Sequence, residues 1–210
     1  MSELMVRTLA GMAMIALALV AAVLGGYFFA ILVAGAATMM YFEWSRLVRG
    51  WGFGWYVAGF LYALAPALAV LWIREVPNLG LSMVVWVFVV VWSTDIGAFF
   101  AGRAIGGPKL APTISPNKTI AGLFGGMISA GLAGWAWVDF ADVPTVFLWL
   151  APPFALAAQA GDLFESWLKR RAKAKDSGSW LPGHGGLLDR LDGLVVVAPL
   201  TALLFAGVIR

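Results

Sequence analysis

The sequence predicts an all-α protein, a polytopic membrane bundle of about seven helices. Three observations carry this. Of 210 residues, 62% are hydrophobic and 12% charged, against about 45–50% and about 25% in soluble domains. Mean hydropathy is +0.90. So little charge cannot cover a water-facing surface, which excludes a soluble enzyme, a disordered chain and a small secreted domain. Second, the apolar residues gather into runs of about 20, the length of one helical span. Third, the Lys and Arg residues fall unevenly along the chain. The length leaves room for six or seven spans and no sizeable soluble domain. The whole of 1–210 reads as one membrane-embedded domain, with N-terminal helices over about 1–73 and a core over about 79–210. There is no cysteine, which excludes disulfides, thiolate metal sites and Cys nucleophiles.

Charged or Gly/Pro-rich breaks separate the runs into helices over about 7–24, 27–48, 53–73, 79–101, 119–138, 146–173 and 186–208. The first run would also suit a signal peptide, but it lacks a clear polar cleavage region and the chain is apolar again from Tyr27. Seven spans with the N-terminus in the cytoplasm put Arg7, Arg46, Arg49, Arg103, Lys109, Lys118, Lys169, Arg170, Arg171, Lys173, Lys175 and Arg190 on one side. That is 12 of the 14 basic residues, and the positive-inside tendency makes that side cytoplasmic. Trp44, Trp51, Trp55, Trp72, Trp135, Trp137, Trp167 and Trp180 fall near helix ends and read as interfacial aromatic belts. Gly122, Gly126, Ala130 and Gly134, four apart on the fifth helix, offer a small-residue face for close helix packing.

The polar residues concentrate in two places. One loop, 102–119, and a second, 169–190, are rich in Gly, Pro and basic residues. Taken alone, such loops are topology signals or contacts for anionic headgroups. Acidic residues beside them change the reading. Asp95 and Asp162 lie inside apolar runs, where ionisable groups are costly and are functional candidates by default. Gln159, Asp162, Glu165, Ser166, Lys169 and Lys173 recur at steps of three or four, so one stripe of the sixth helix carries them. With Leu163, Phe164, Trp167 and Leu168 taken as lipid-side neighbours, that stripe must face protein or an aqueous cavity. Asp189 and Asp192, three apart, share a face at the start of the seventh helix. Oxygen-only clusters suit Mg²⁺, Mn²⁺ or Ca²⁺ rather than Zn²⁺. Carboxylates of this kind ringed by Lys118, Lys169, Arg170, Lys175 and Arg190 are the layout for phosphoryl or nucleotidyl transfer. His184, the only His, sits between glycines in a loop and suits contact with phosphate or proton transfer. There is no Walker loop, no Rossmann fingerprint in a strand–helix context and no recognisable Ser-His-Asp signature.

The segments Ser166-Trp167-Leu168-Lys169-Arg170, Lys175-Asp176-Ser177-Gly178, Leu181-Pro182-Gly183-His184-Gly185-Gly186-Leu187 and Asp189-Arg190-Leu191-Asp192 together resemble the signature of phosphatidate cytidylyltransferases (CDP-diacylglycerol synthases). The likeness runs through the whole of 166–192. Ser115-Pro116-Asn117-Lys118-Thr119 and Asp95 followed by Gly102-Arg103 resemble that family too. The resemblance implies an integral membrane enzyme that condenses CTP with phosphatidic acid to CDP-diacylglycerol and pyrophosphate. It implies a divalent ion, usually Mg²⁺, with an additional monovalent cation such as K⁺, and a homodimer. No nucleic-acid partner is expected. Asp162 and Asp189 match the metal-binding aspartates, with Asp192 as a third or supporting ligand. Lys118 and His184 are candidate catalytic residues. Ser115, Lys118, Thr119, Ser166, Lys169, Arg170, Lys175, Arg190 and Arg103 are candidate substrate-binding residues. The expected location is a bacterial inner membrane with the site facing the cytoplasm. Two departures stand out: family members are commonly longer at the N-terminus, and Ala121 stands where the family often has Glu.

Two alternatives remain open at this level. A CDP-alcohol phosphotransferase also handles CDP-lipids with carboxylates and a metal, but its Asp-Gly-x-x-Ala-Arg run is missing. A transporter would line its pathway with Asp95 and Asp162, although no inverted repeat is evident.

Overall fold

The computed structural model describes residues 3–178, 180 and 185–209. Among them the order is α1 (Glu3–Leu24), α2 (Gly26–Leu47), α3 (Phe53–Glu75), α4 (Gly80–Ile105), β1 (Lys109–Ala111), β2 (Ser115–Thr119), α5 (Ile120–Phe140), α6 (Phe147–Arg171) and α7 (Leu188–Val208). The all-α expectation holds, with one small hairpin added. Five helices, α2, α3, α4, α5 and α7, are long and apolar enough to cross a membrane, and the apolar part of α1, Thr8–Leu24, is shorter. The chain is an integral membrane bundle. Helices satisfy every backbone polar group within the segment, the condition hydrocarbon imposes. Pro66 in α3, Pro152 and Pro153 in α6 and Pro199 in α7 all lie inside helices, a placement membrane bundles tolerate.

α4 is the hub. It packs along α5 and also meets α3, α6 and α7, while α7 leans on α3 and α6. Its buried face, with Val84, Trp86, Val87, Val90 and Val91, joins Phe147, Phe154 and Phe205 in the larger core cluster. The predicted small-residue face is the α5 contact: Gly122, Gly126, Ala130 and Gly134 are all buried. A Cβ on Gly126 would lie 2.9 Å from the Thr94 carbonyl, one on Gly122 2.9 Å from the Ala98 carbonyl, and one on Gly134 2.7 Å from Ala151 Cβ. A methyl group does not fit between these helices.

A second cluster holds Met40, Trp44, Leu47, Val48, Ala63, Leu168, Leu188 and Val195. It corrects two expectations. Trp44 is only 2% exposed, and its indole N–H donates to the Trp55 carbonyl at 2.8 Å. It is a core residue, because a buried indole with its one donor satisfied gains nothing at an interface. Leu168 is fully buried rather than facing lipid, since it packs with Leu188 and Val195 of α7, beside the polar stripe. Trp135 and Trp180, by contrast, are exposed. Trp51, Trp55 and Trp167 gather around the Arg171 guanidinium, 4.9 to 5.6 Å from their ring centres.

The first polar loop is more ordered than the sequence suggests. α4 runs to Ile105, four residues past its apolar run, because a helix need not stop where hydrocarbon does. It stops at Gly106 and Gly107, both with positive φ, a conformation glycine adopts without penalty. β1 and β2 then pair antiparallel, Lys109 opposite Thr119 and Ala111 opposite Ser115. Thr119 ends β2 and caps α5 in one step: its hydroxyl oxygen accepts from the Gly122 N–H at 3.0 Å. α6 ends with Lys173 in the left-handed region, a common helix stop.

Candidate active site

The polar stripe of α6 and the first turns of α7 line one cavity, and the hairpin reaches that stripe through Lys118. Gly161 makes the α6–α7 approach close: a Cβ there would fall 2.5 Å from the Asp192 carbonyl oxygen. This brings Asp162 and Glu165, on α6, against Asp192, on α7. One carboxylate oxygen from each lies within 4.8 Å of the other two. Glu165 is 1% exposed, and its Oε1 has no hydrogen-bond partner among the described residues. A buried carboxylate oxygen left unsatisfied is costly. Beside two further carboxylates it forms a donor set of oxygens alone, which fits a hard divalent cation.

Two lysines flank this group. Lys118, on β2, forms an ion pair with Asp162 and donates to Gln159 Oε1 at 2.9 Å. Lys169, on α6, donates to Asp189 Oδ1 at 2.5 Å and to Glu165 Oε2 at 3.2 Å. Ser166 donates to Asp162 Oδ1 at 3.3 Å. Asp189 lines the same cavity and shares Lys169 with Glu165, while its Oδ2 accepts from the backbone N–H groups of Ser177, at 3.0 Å, and Gly186, at 2.9 Å. The tightest oxygen cluster is Asp162, Glu165 and Asp192, with Asp189 joined to it through Lys169. Glu165 is thereby added to the expected grouping of Asp162, Asp189 and Asp192, all of which line the cavity. The reason is helical spacing: Glu165, one turn from Asp162, points into the same gap, and Asp189 Oδ2 turns to the backbone of Ser177 and Gly186.

The remaining predicted residues divide. Arg190 lines the cavity with Asp95. Arg170 reaches the hairpin turn, its Nε donating to the Ile114 carbonyl at 3.3 Å. Ser115 is half-buried at the start of β2, and Arg103 and Lys175 are exposed. The Thr119 hydroxyl serves as the α5 cap and Thr119 is 5% exposed. His184 lies outside the described residues. Sequence reasoning placed Glu165 on the stripe but gave it no task, and passed over Glu43 altogether. Glu43 ends an apolar run, and the logic applied to Asp95 would have singled it out.

The cavity measures about 810 Å³. One end is lined by Asp95, Asp162, Lys169, Asp176, Asp189, Arg190 and Asp192; the rest is apolar, from Met14 and Ile15 of α1 through Phe29 and Val33 of α2 to Val70 of α3 and Phe88 of α4. A single space thus joins charge to hydrocarbon.

Residues 50–208 match the family described as the Cytidylyltransferase family. The chain belongs to that family. It is 47% identical over 173 residues to a phosphatidate cytidylyltransferase of Brucella suis, covering 80% of this chain and 62% of that protein. It is 44% identical over 137 residues to that of Bacillus subtilis, covering 64% of this chain and 51% of the relative. The match in Staphylococcus saprophyticus is 42% over 138 residues, covering 64% and 53%. The chain therefore spans 62% of the length of its Brucella relative. The family match takes in α3 to α7 and with them every carboxylate of the cluster.

Proposed function

We propose that the chain transfers a cytidylyl group from CTP to phosphatidic acid, giving CDP-diacylglycerol and pyrophosphate. The observation that carries this is the cavity with one charged and one apolar end, which suits a lipid phosphate meeting a water-borne triphosphate. A phosphatidic acid oxygen attacks the α-phosphorus of CTP; that P–O bond forms as the bond to pyrophosphate breaks. A phosphate monoester has a second pKa of about 6, so the attacking group is already ionised and needs no strong base. Catalysis is then positioning and charge neutralisation. Lys118, Lys169 and Arg190 are the cations for the phosphates. Asp162, Glu165 and Asp192 are the residues that would hold a divalent ion, Mg²⁺ by preference. Asp189, whose Oδ1 pairs with Lys169 beside Glu165, would be a further ligand in that set. A bound Mg²⁺ would polarise phosphate oxygens and offset the charge that builds on pyrophosphate.

The positive-inside bias supports seven spans with the N-terminus and this site on the cytoplasmic side of a bacterial inner membrane, where CTP arrives from water. The test is purified chain with labelled CTP and vesicles containing phosphatidic acid, with Mg²⁺ and with chelator. Labelled lipid and stoichiometric pyrophosphate, both lost with chelator, are expected. Absence of labelled lipid at any divalent ion tried refutes the reading.

A further inference from the structure

Glu43, on α2, is fully buried, and no described cation forms an ion pair with it. Its carboxylate is instead held by the segment that precedes α7. Oε1 accepts from the Leu187 N–H at 2.9 Å, and Oε2 from the Leu188 N–H at 2.8 Å. The Ser177 hydroxyl lies 2.9 Å from Glu43 Oε2 and 3.0 Å from Asp189 Oδ2, so its one proton bridges the two acids. Two glycines form the cradle. A Cβ on Gly178 would lie 2.5 Å from Glu43 Oε1, and one on Gly186 would lie 2.5 Å from Oε2 and overlap the Ser177 hydroxyl. The bonded N–H groups belong to the first turn of α7, where donors have no partner within the helix and the helix dipole favours negative charge.

We infer that Glu43 is a positioning residue: it pins Ser177, Leu187 and Leu188 to α2 and thereby fixes Asp189, and through it Lys169, at the cavity. Glu43 precedes the matched residues 50–208, so a helix outside the family match sets the geometry of the site inside it. No substrate need touch Glu43. The catalytic part of this inference rests on the cytidylyl-transfer reading; the anchoring part does not.

Glu43→Gln keeps the volume but turns an NH₂ group toward N–H donors that need an acceptor. Gly186→Ala puts a methyl group against the same carboxylate from the other side. In the 210-residue chain in detergent, each variant is expected to raise amide hydrogen exchange at 186–188 by roughly tenfold or more, the scale of losing a hydrogen bond to a charged group. Exchange in α4 and α5 stays as in the parent chain. Each is expected to lower kcat for CDP-lipid formation by roughly tenfold or more. The double variant falls no further than the worse single one, since both break the same unit. Exchange that rises uniformly through the chain, exchange unchanged at 186–188, or losses that multiply in the double variant would each overturn the inference. If the parent chain makes no CDP-lipid, the functional reading fails, and the exchange at 186–188 still decides whether Glu43 anchors the segment.

Discussion

The α4–α5 and α6–α7 interfaces use the same device to opposite ends. In both, glycine brings two helices so close that a methyl group would collide, at Gly122 and Gly126 in one and Gly161 in the other. Between α4 and α5 the neighbours are carbonyls, methyl groups and Thr94, and the contact is dry packing. Between α6 and α7 the glycine is followed by Asp162 and faced by the Asp192 backbone, so the same closeness presses carboxylates together. Small residues supply proximity; the residue beside them decides whether proximity becomes stability or chemistry.

Substitutions test that distinction. The largest effect is expected at α6–α7. Asp162→Asn preserves shape and removes one charge from the cluster. Product formation should fall about a thousandfold, the scale of removing a central electrostatic group, while size-exclusion behaviour is unchanged. Near-normal turnover would remove Asp162 from the site. Next comes Gly134→Leu, at the end of α5 remote from the hairpin, where the same dry face meets Ala151 of α6 as well as Trp86 and Val90 of α4. Overpacking of this kind costs about 1–3 kcal/mol, so the unfolding midpoint should drop, while kcat per folded molecule stays near that of the parent chain. A kcat that fell with unchanged stability would dissolve the contrast between the two interfaces. The smallest effect is expected at Thr119, where packing and site meet. Thr119→Ala removes the α5 cap and should cost about 1 kcal/mol, seen as faster amide exchange at Gly122 and in the first turn of α5.

The helices were legible because apolar runs of span length are conspicuous, and the α4–α5 contact because a four-residue repeat marks a face. The stripe on α6 was legible for the same reason. What periodicity cannot give is the partner across a gap. The resemblance put Asp162 and Asp189 together, but that Glu165 faces the same gap depends on the α6–α7 approach at Gly161. Glu43 was hidden in another way: its partners are backbone N–H groups more than a hundred residues away in sequence, and backbone donors leave no trace in composition. Trp44 misled because proximity to a helix end was taken for proximity to water. The hairpin was missed because its strands are too short and too polar to show alternation.

The junction at Thr119 carries a mechanical consequence. β2 ends at Thr119 and α5 begins at Ile120, so no slack residue separates the strand that carries Lys118 from the helix. Lys118 therefore moves as a rigid extension of α5. A slip of α5 along α4 by a single residue, about 1.5 Å, would draw the ammonium away from Asp162 by a similar distance. The glycine contacts that bar a methyl group also bar that slip, so a seam within the membrane works as the ruler for a side chain beyond its edge.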